Sequence, residues 1–249
     1  MSVTFDPVTG HLRLDAEAFD VLVEHAERPA QQPTRPPAGG RSTPGDALAR
    51  LVAGGVLVDG RPHPRLRETL VGVTASRGSV QVVVGDDEGV RLHHAWLGAT
   101  AVAVLSDRGD GTFDLGPSHT TQLPGMLAAW ASLAAGPELA AATVAVPDVL
   151  LEELASHRRG LRRAAAQALA DALGPWPAAR DGVHSGGWRL ATVDVALATG
   201  EQTLAQHLAW LDTGAGLLRA EAVERDVRLT PTTSTELRRD LATVVATGG

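Results

Sequence analysis

The sequence predicts an α+β fold in which one unit, a set of antiparallel strands closed by a helix, is used twice. Three observations carry this. Residues 93–128 and 207–242 align without a gap at an offset of 114 residues, with 11 identities in 36 columns. Such internal repeats fix an architecture before any local pattern does. Trp96-Leu97 meets Trp210-Leu211, Leu115 and Pro117 meet Leu229 and Pro231, and Leu123, Leu127 and Ala128 meet Leu237, Leu241 and Ala242. Each copy also shows apolar residues alternating with period two before the spacing turns helical. Finally, each half, 1–135 or 136–249, could bury only a marginal core alone. A meander with one helix leaves an apolar face and an edge that a twin can cover. The expectation is a single domain of two related halves, with a mostly antiparallel central sheet and an internal pseudo-two-fold repeat.

The first half opens with a strand over 11–14. Asp15 is placed to cap the following helix, which carries Phe19, Leu22, Val23 and Ala26 on one face. Residues 28–45, rich in Pro, Gly and polar side chains, read as a flexible loop. Helices are expected near 46–53 and 64–73. Val80, Val82 and Val84 mark a strand, residues 85–89 an acidic turn, and 90–96 the returning strand. A third strand falls at about 101–105 and a fourth at 112–115, after the Asp110-Gly111 turn. Leu123, Leu127 and Trp130 then sit at helical spacing.

The second half repeats the plan. A strand over 143–146 leads to Pro147, which starts a helix with Val149, Leu150 and Leu154 inward. Gly160 breaks it, and a second helix carries Leu161, Ala164 to Ala166, Leu169 and Leu173. Residues 174–187 read as a loop. Strands follow near 189–197, 204–211, 216–220 and 226–229. Residues 204–210 alone fit a helix as well; the partner segment 90–96, after a Val-rich strand and tight turn, decides for strand. The last helix opens with the capping pair Thr233 and Glu236 and places Leu237, Leu241, Val244 and Val245 on one face. His119 and Gln122 take the corresponding places in the first copy, so the box there is incomplete.

Composition excludes several chemistries. The 249 residues are 44% hydrophobic and 20% charged, ordinary for a globular chain, and contain no Lys, Ile, Asn, Tyr or Cys. Those types have mostly AT-rich codons, which points to a high-GC genome. Without Cys there is no thiol nucleophile or zinc–thiolate site. Without Lys there is no Schiff base or phosphate-loop lysine. A net charge of −7 argues against nucleic-acid binding. The apolar stretches are too short for membrane insertion, and the N-terminus lacks a signal peptide's basic and apolar regions. The expected location is the cytosol.

No motif compels catalysis, a metal or a cofactor, and none of the three is expected. His93, His94 and His207 occupy repeat strands without helical ligand spacing, so they read as sheet histidines. Residues 107–111 lack the ligand alternation of a calcium loop and read as a solvated hairpin turn. Gly214 and Gly216 lack the third glycine of a dinucleotide fingerprint. His184 and Ser185 put an imidazole beside a hydroxyl in a Gly-rich stretch. They are the basis of the enzyme alternative, a serine hydrolase, although no nucleophile-elbow motif accompanies them. Arg158 and Arg159 belong to the one basic cluster, with His157, Arg162 and Arg163. At the end of one helix it would favour that helix's dipole; it would also receive an acidic partner segment. Trp176, between two prolines, reads either as an interface anchor or as a lid packed over the helix pair.

The order of helices, meander and closing helix, twice over, resembles the EspG family of actinobacterial type VII (ESX) secretion-associated proteins. The resemblance is carried by Gly54-Gly55-Val56-Leu57-Val58-Asp59-Gly60, by the Pro64-Arg65-Leu66-Arg67-Glu68-Thr69-Leu70 helix start, by Val80 to Val84, and by Gly111-Thr112-Phe113-Asp114-Leu115 with Leu123-Pro124. It covers most of the chain in pattern, and the 211–218 segment and the 28–45 loop depart from it. The resemblance implies a central sheet flanked by helical bundles. It also implies a cytosolic, non-enzymatic chaperone that binds helical secretion substrates of PE–PPE type, or similar proteins, and keeps them soluble for export. The resemblance carries over no contact residue; Trp176, Arg158 and Arg159 are the expected partner contacts on their own chemistry, as an interface anchor and a basic cluster. The alternatives are the Ser185/His184 hydrolase and a structural homo-oligomer, such as a homodimer, built through sheet edges.

Overall fold

The computed structural model describes residues 3–27, 44–98, 101–199 and 202–246. The first half runs β1 (Thr4–Phe5), β2 (Leu12–Asp15), α1 (Ala16–Glu27), α2 (Pro44–Ala53), β3 (Leu57–Val58), β4 (Arg61–Pro62), a 3₁₀ turn (Pro64–Leu66), α3 (Arg67–Thr74), β5 (Gly78–Asp86), β6 (Val90–Leu97), β7 (Val102–Asp107), β8 (Thr112–Ser118) and α4 (Leu123–Trp130). The second runs β9 (Val144–Pro147), α5 (Asp148–Leu154), α6 (Arg159–Ala172), α7 (Pro177–His184), β10 (Arg189–Thr199), β11 (Gln202–Asp212), β12 (Leu217–Val223), β13 (Asp226–Thr232) and α8 (Ser234–Ala246).

Eleven strands form one sheet in the order β1-β2-β8-β7-β6-β5-β10-β11-β12-β13-β9, and β3 with β4 makes a separate ribbon. With β1 set aside and the rest read from both sides toward the middle, the order matches β2 with β9, β8 with β13, β7 with β12, β6 with β11 and β5 with β10. The last four matches follow the 114-residue offset, and β8 and β13 coincide under it residue for residue. Residues 204–210 are strand, as the repeat requires. Of the loop expected over 28–45, residues 28–43 lie outside the described residues, and Pro44 and Gly45 open α2.

The chain forms two compact units: Met1–Ser79 with His93–Thr120, and Val80–Leu92 with Thr121–Gly249. In the first, Asp15 caps α1 by accepting from Ala18 N–H at 2.9 Å. Arg50 of α2 reaches both Asp15 and Glu17, each at 3.1 Å, and so ties α2 to the start of α1. Leu12, Leu14, Leu22, Leu51, Leu66 and Leu115 are fully buried in the core beneath these helices. Phe19 stacks on Trp96 with ring centres 5.9 Å apart. The β7–β8 turn is tied by its own aspartates: Gly109 N–H donates to Asp107 and Thr112 N–H to Asp110.

In the second unit β10 and β11 pair along their whole length, from Arg189↔Asp212 to Thr199↔Gln202. The β11–β12 ladder is only four pairs long, from Ala209↔Ala220 to Asp212↔Leu217. Leu154, Leu169, Leu173, Leu190, Leu211 and Leu229 fill the core between strands and the α5–α7 helices. The α8 capping box closes as expected: Glu236 N–H donates to Thr233 Oγ1 at 3.2 Å, and Thr233 N–H to Glu236 Oε2 at 3.0 Å.

One expectation fails here. Residues 174–187 are not a loop, because α7 occupies most of them. Pro177 stands at the first helical position, where its fixed φ and missing N–H are tolerated. Gly182, inside that helix, is demanded by packing: a Cβ there would strike the Thr213 carbonyl oxygen.

Candidate functional site

The basic cluster divides once α6 is in place. α5 ends at Leu154, Arg158 is the N-cap of α6, and Arg159 is its first residue. The cations therefore stand at the positive end of a helix dipole, not at the negative end that the dipole argument assumed. The first turn has no acidic residue and the cap no side-chain hydrogen bond. Arg158 and Arg159 are exposed, and among the described residues neither meets a carboxylate.

Arg162 has the opposite fate. It occupies the apolar stripe with Ala165, Ala166, Leu169 and Leu173, and is 3% exposed. Its guanidinium donates to three backbone carbonyls: Asp86 (3.2 Å), Ser156 (2.9 Å) and Asp87 (3.4 Å). It thereby clamps the β5–β6 turn to the start of α6. Val149 of α5, expected inward, is 46% exposed, and Leu161 of α6 is 37% exposed. A charged residue in register with the stripe was the available signal.

Trp176 is 3% exposed and lies in the core of the second unit. Its indole N–H donates to the Ala140 carbonyl at 2.7 Å, which satisfies the one polar atom it buries. It packs as the lid of the helix pair and presents no aromatic face to solvent.

His184 and Ser185 lie at the C-terminal end of α7, beside a cleft of about 200 Å³ whose walls include Asp87, Arg163, Val183 and Trp188. Ser185 Oγ donates its proton to the Gly182 carbonyl at 2.9 Å. His184 Nε2 instead faces Asp171, 3.9 Å away. A hydrolase serine needs its hydroxyl committed to the imidazole, and an oxyanion site made by N–H groups at a helix start. Ser185 is the C-cap of its helix, where carbonyls point outward.

The repeated histidines sit in the sheet. His93 is buried, and His94 lies against Trp96 with ring centres 4.2 Å apart. Burial pushes the His94 pKa down, which keeps its imidazole neutral near pH 7. His207 bonds Asp194 at 2.7 Å, directly across the β10–β11 ladder. Among the described residues, no group of three or more His, Asp or Glu side chains could hold a metal ion. No helix among them is long and apolar enough to cross a membrane.

No protein-family model matches the chain, and no curated protein matches its sequence. Solved structures do match. The Mycobacterium tuberculosis type VII secretion system chaperone EspG5, solved in complex with a PE25–PPE41 dimer, superposes with a TM-score of 0.57 at 12% identity. The match covers 96% of this chain and 97% of EspG5. The chain thus shares the EspG fold end to end: a large antiparallel sheet with flanking helices.

Proposed function

We propose that this protein is a non-enzymatic, cytosolic chaperone or adaptor of a type VII secretion system. It binds a helical substrate protein, of PE–PPE type or similar, and keeps it soluble for export. The observation that carries the reading is the fold shared with EspG5 over nearly the whole of both chains, EspG5 having been solved with a PE–PPE dimer bound. The two related halves act together as one domain. Arg158 and Arg159, exposed at a helix start with no acidic neighbour in the first turn, suit an acidic stretch of the client.

Co-expression with helical proteins encoded beside its gene tests the assignment. A client retained on a column carrying the tagged protein, and insoluble without it, is the expected result. If no neighbouring helical protein is retained or solubilised, the chaperone assignment fails. Fluorophosphonate labelling tests the hydrolase alternative, and Ser185 is expected to stay unlabelled.

A further inference from the structure

We propose that the outer edge of β11 receives an extended, uncharged segment of the client as an added antiparallel strand. The proposal rests on the chaperone reading only for which polypeptide supplies that strand. β10 and β11 pair from Arg189↔Asp212 to Thr199↔Gln202, but β12 accompanies β11 only from Asp212 to Ala209. β12 then runs on to Val223 paired with β13. Among the described residues, no strand lies along Gln202–Leu208 on the side away from β10. The first half closes the corresponding edge itself. His93 and His94, the counterparts of His207 and Leu208 at the repeat offset, pair with Ser106 and Leu105 of β7.

The turn after β11 fixes which backbone groups are left over. Thr213 N–H donates to the Gly216 carbonyl, so these two form a bonded pair at the mouth of the β11–β12 hairpin. In an antiparallel ladder bonded pairs recur at every second residue. Leu211 and Ala209 therefore face β12, and His207, Ala205 and Thr203 turn their N–H and C=O groups to the same edge with no strand opposite. Sheets blunt such edges with short strands, proline or charge. The two terminal strands of this sheet are blunted: β1 has two residues, and β9 ends in Pro147. Gln202–Leu208 contains no proline and no Asp, Glu or Arg. Extended backbone offers a donor and an acceptor at every second residue, as this edge requires; a helix has spent its own on itself. The side chains set the composition. Leu204 is 39% exposed and shares a face with buried Leu208, so the added strand is apolar on that face. Thr203, Ala205 and His207 are exposed on the other and suit small polar residues. Asp194, bonded to His207 beside them, disfavours an acid there.

Amide hydrogen exchange on the full chain tests this, with Ac-Thr-Val-Thr-Val-Thr-NH2 as the probe. In the free chain the amides of Thr203, Ala205 and His207 should exchange fast, and those of Leu204, Gln206 and Leu208, which face β10, slowly. Protection of the first three in the free chain overturns the proposal, because the edge is then already paired. Peptide at ten times its Kd should slow those three by about tenfold. An antiparallel partner turns its threonine N–H groups to β11, so N-methylation of the central threonine should abolish the effect and N-methylation of the first valine should not. The opposite result, or no slowing by the parent peptide at millimolar concentration, overturns the proposal. Ala205→Pro removes one outward N–H and none that faces β10; it should keep Tm within a few degrees and lose the peptide. Undiminished binding by that variant also overturns the proposal. A client that is retained while the three amides stay unprotected removes the added strand and leaves the chaperone assignment. A peptide that protects them while no client is retained removes the chaperone assignment and leaves the edge.

Discussion

Gly85 lies near the end of β5, against the C-terminal end of α5. A Cβ added there would stand 2.6 Å from the Leu154 carbonyl oxygen, 3.4 Å from its carbon and 3.5 Å from Ala155 Cα. An ordinary carbon–oxygen approach is about 3.3 Å, so the two backbones must separate by roughly 0.7 Å. No rotamer change relieves the contact, because the oxygen belongs to the main chain. Leu154 is fully buried, so the shift spreads into packed core. Overpacking of this kind costs about 1–3 kcal/mol. Alanine offsets about 0.4–1 kcal/mol of that by narrowing the unfolded ensemble. Gly85→Ala should therefore lose about 1–2 kcal/mol. With a urea m-value of about 3 kcal/mol/M, the midpoint falls by about 0.5 M. Gly125 in α4 is the control, since a Cβ there meets nothing within 4 Å; Gly125→Ala should gain up to about 1 kcal/mol from helix propensity. A Gly85→Ala midpoint equal to or above the parent's, at unchanged m, would refute the close-approach argument.

Replacing Trp176 by alanine should cost about 3–5 kcal/mol, as for other buried aromatic truncations; differential scanning calorimetry should show a large drop in Tm, and an unchanged Tm would contradict its place in the core. Arg158→Glu with Arg159→Glu should leave Tm within a few degrees and reduce retention of a co-expressed client; full retention would remove both residues from the contact surface. The Glu236 carboxylate is held below the usual glutamate range by the Thr233 N–H and then by the Thr232 and Thr233 side chains. A lowered folded pKa means that its contribution is present above the unfolded value of about 4.3 and lost as pH falls through the folded one. Glu236→Gln should therefore flatten the acid limb of stability against pH, and an acid limb identical to the parent's would sink that account.

The strands and closing helices were legible because each pattern occurs twice, and a repeat turns an ambiguous run such as 204–210 into a comparison. The capping pair Thr233 and Glu236 was legible because it is local. α7 was not: residues 174–187, with Trp176 between two prolines, read as a loop, and only the nearness of Thr213 explains why Gly182 sits inside that helix. The adjacency of His184 and Ser185 was visible in sequence, but the two turn elsewhere: His184 faces Asp171, and Ser185 donates to the Gly182 carbonyl. The cleft draws Asp87, Arg163 and Trp188 from three separate segments, and no spacing rule joins them. The placing of the arginines failed on a boundary: a few residues decide whether a cation faces the negative or the positive end of a dipole.

Arg162 carries a last consequence. Most charge pairs in this protein weaken in acid, as their carboxylates take up protons, or in salt, as ions screen them. The three acceptors of Arg162 are main-chain carbonyls, which do not titrate. Being buried, it is also little screened. The turn after β5 is thus fastened by an acid- and salt-tolerant rivet, and should keep its amide-exchange protection under conditions that loosen the Arg50 and Arg91 pairs.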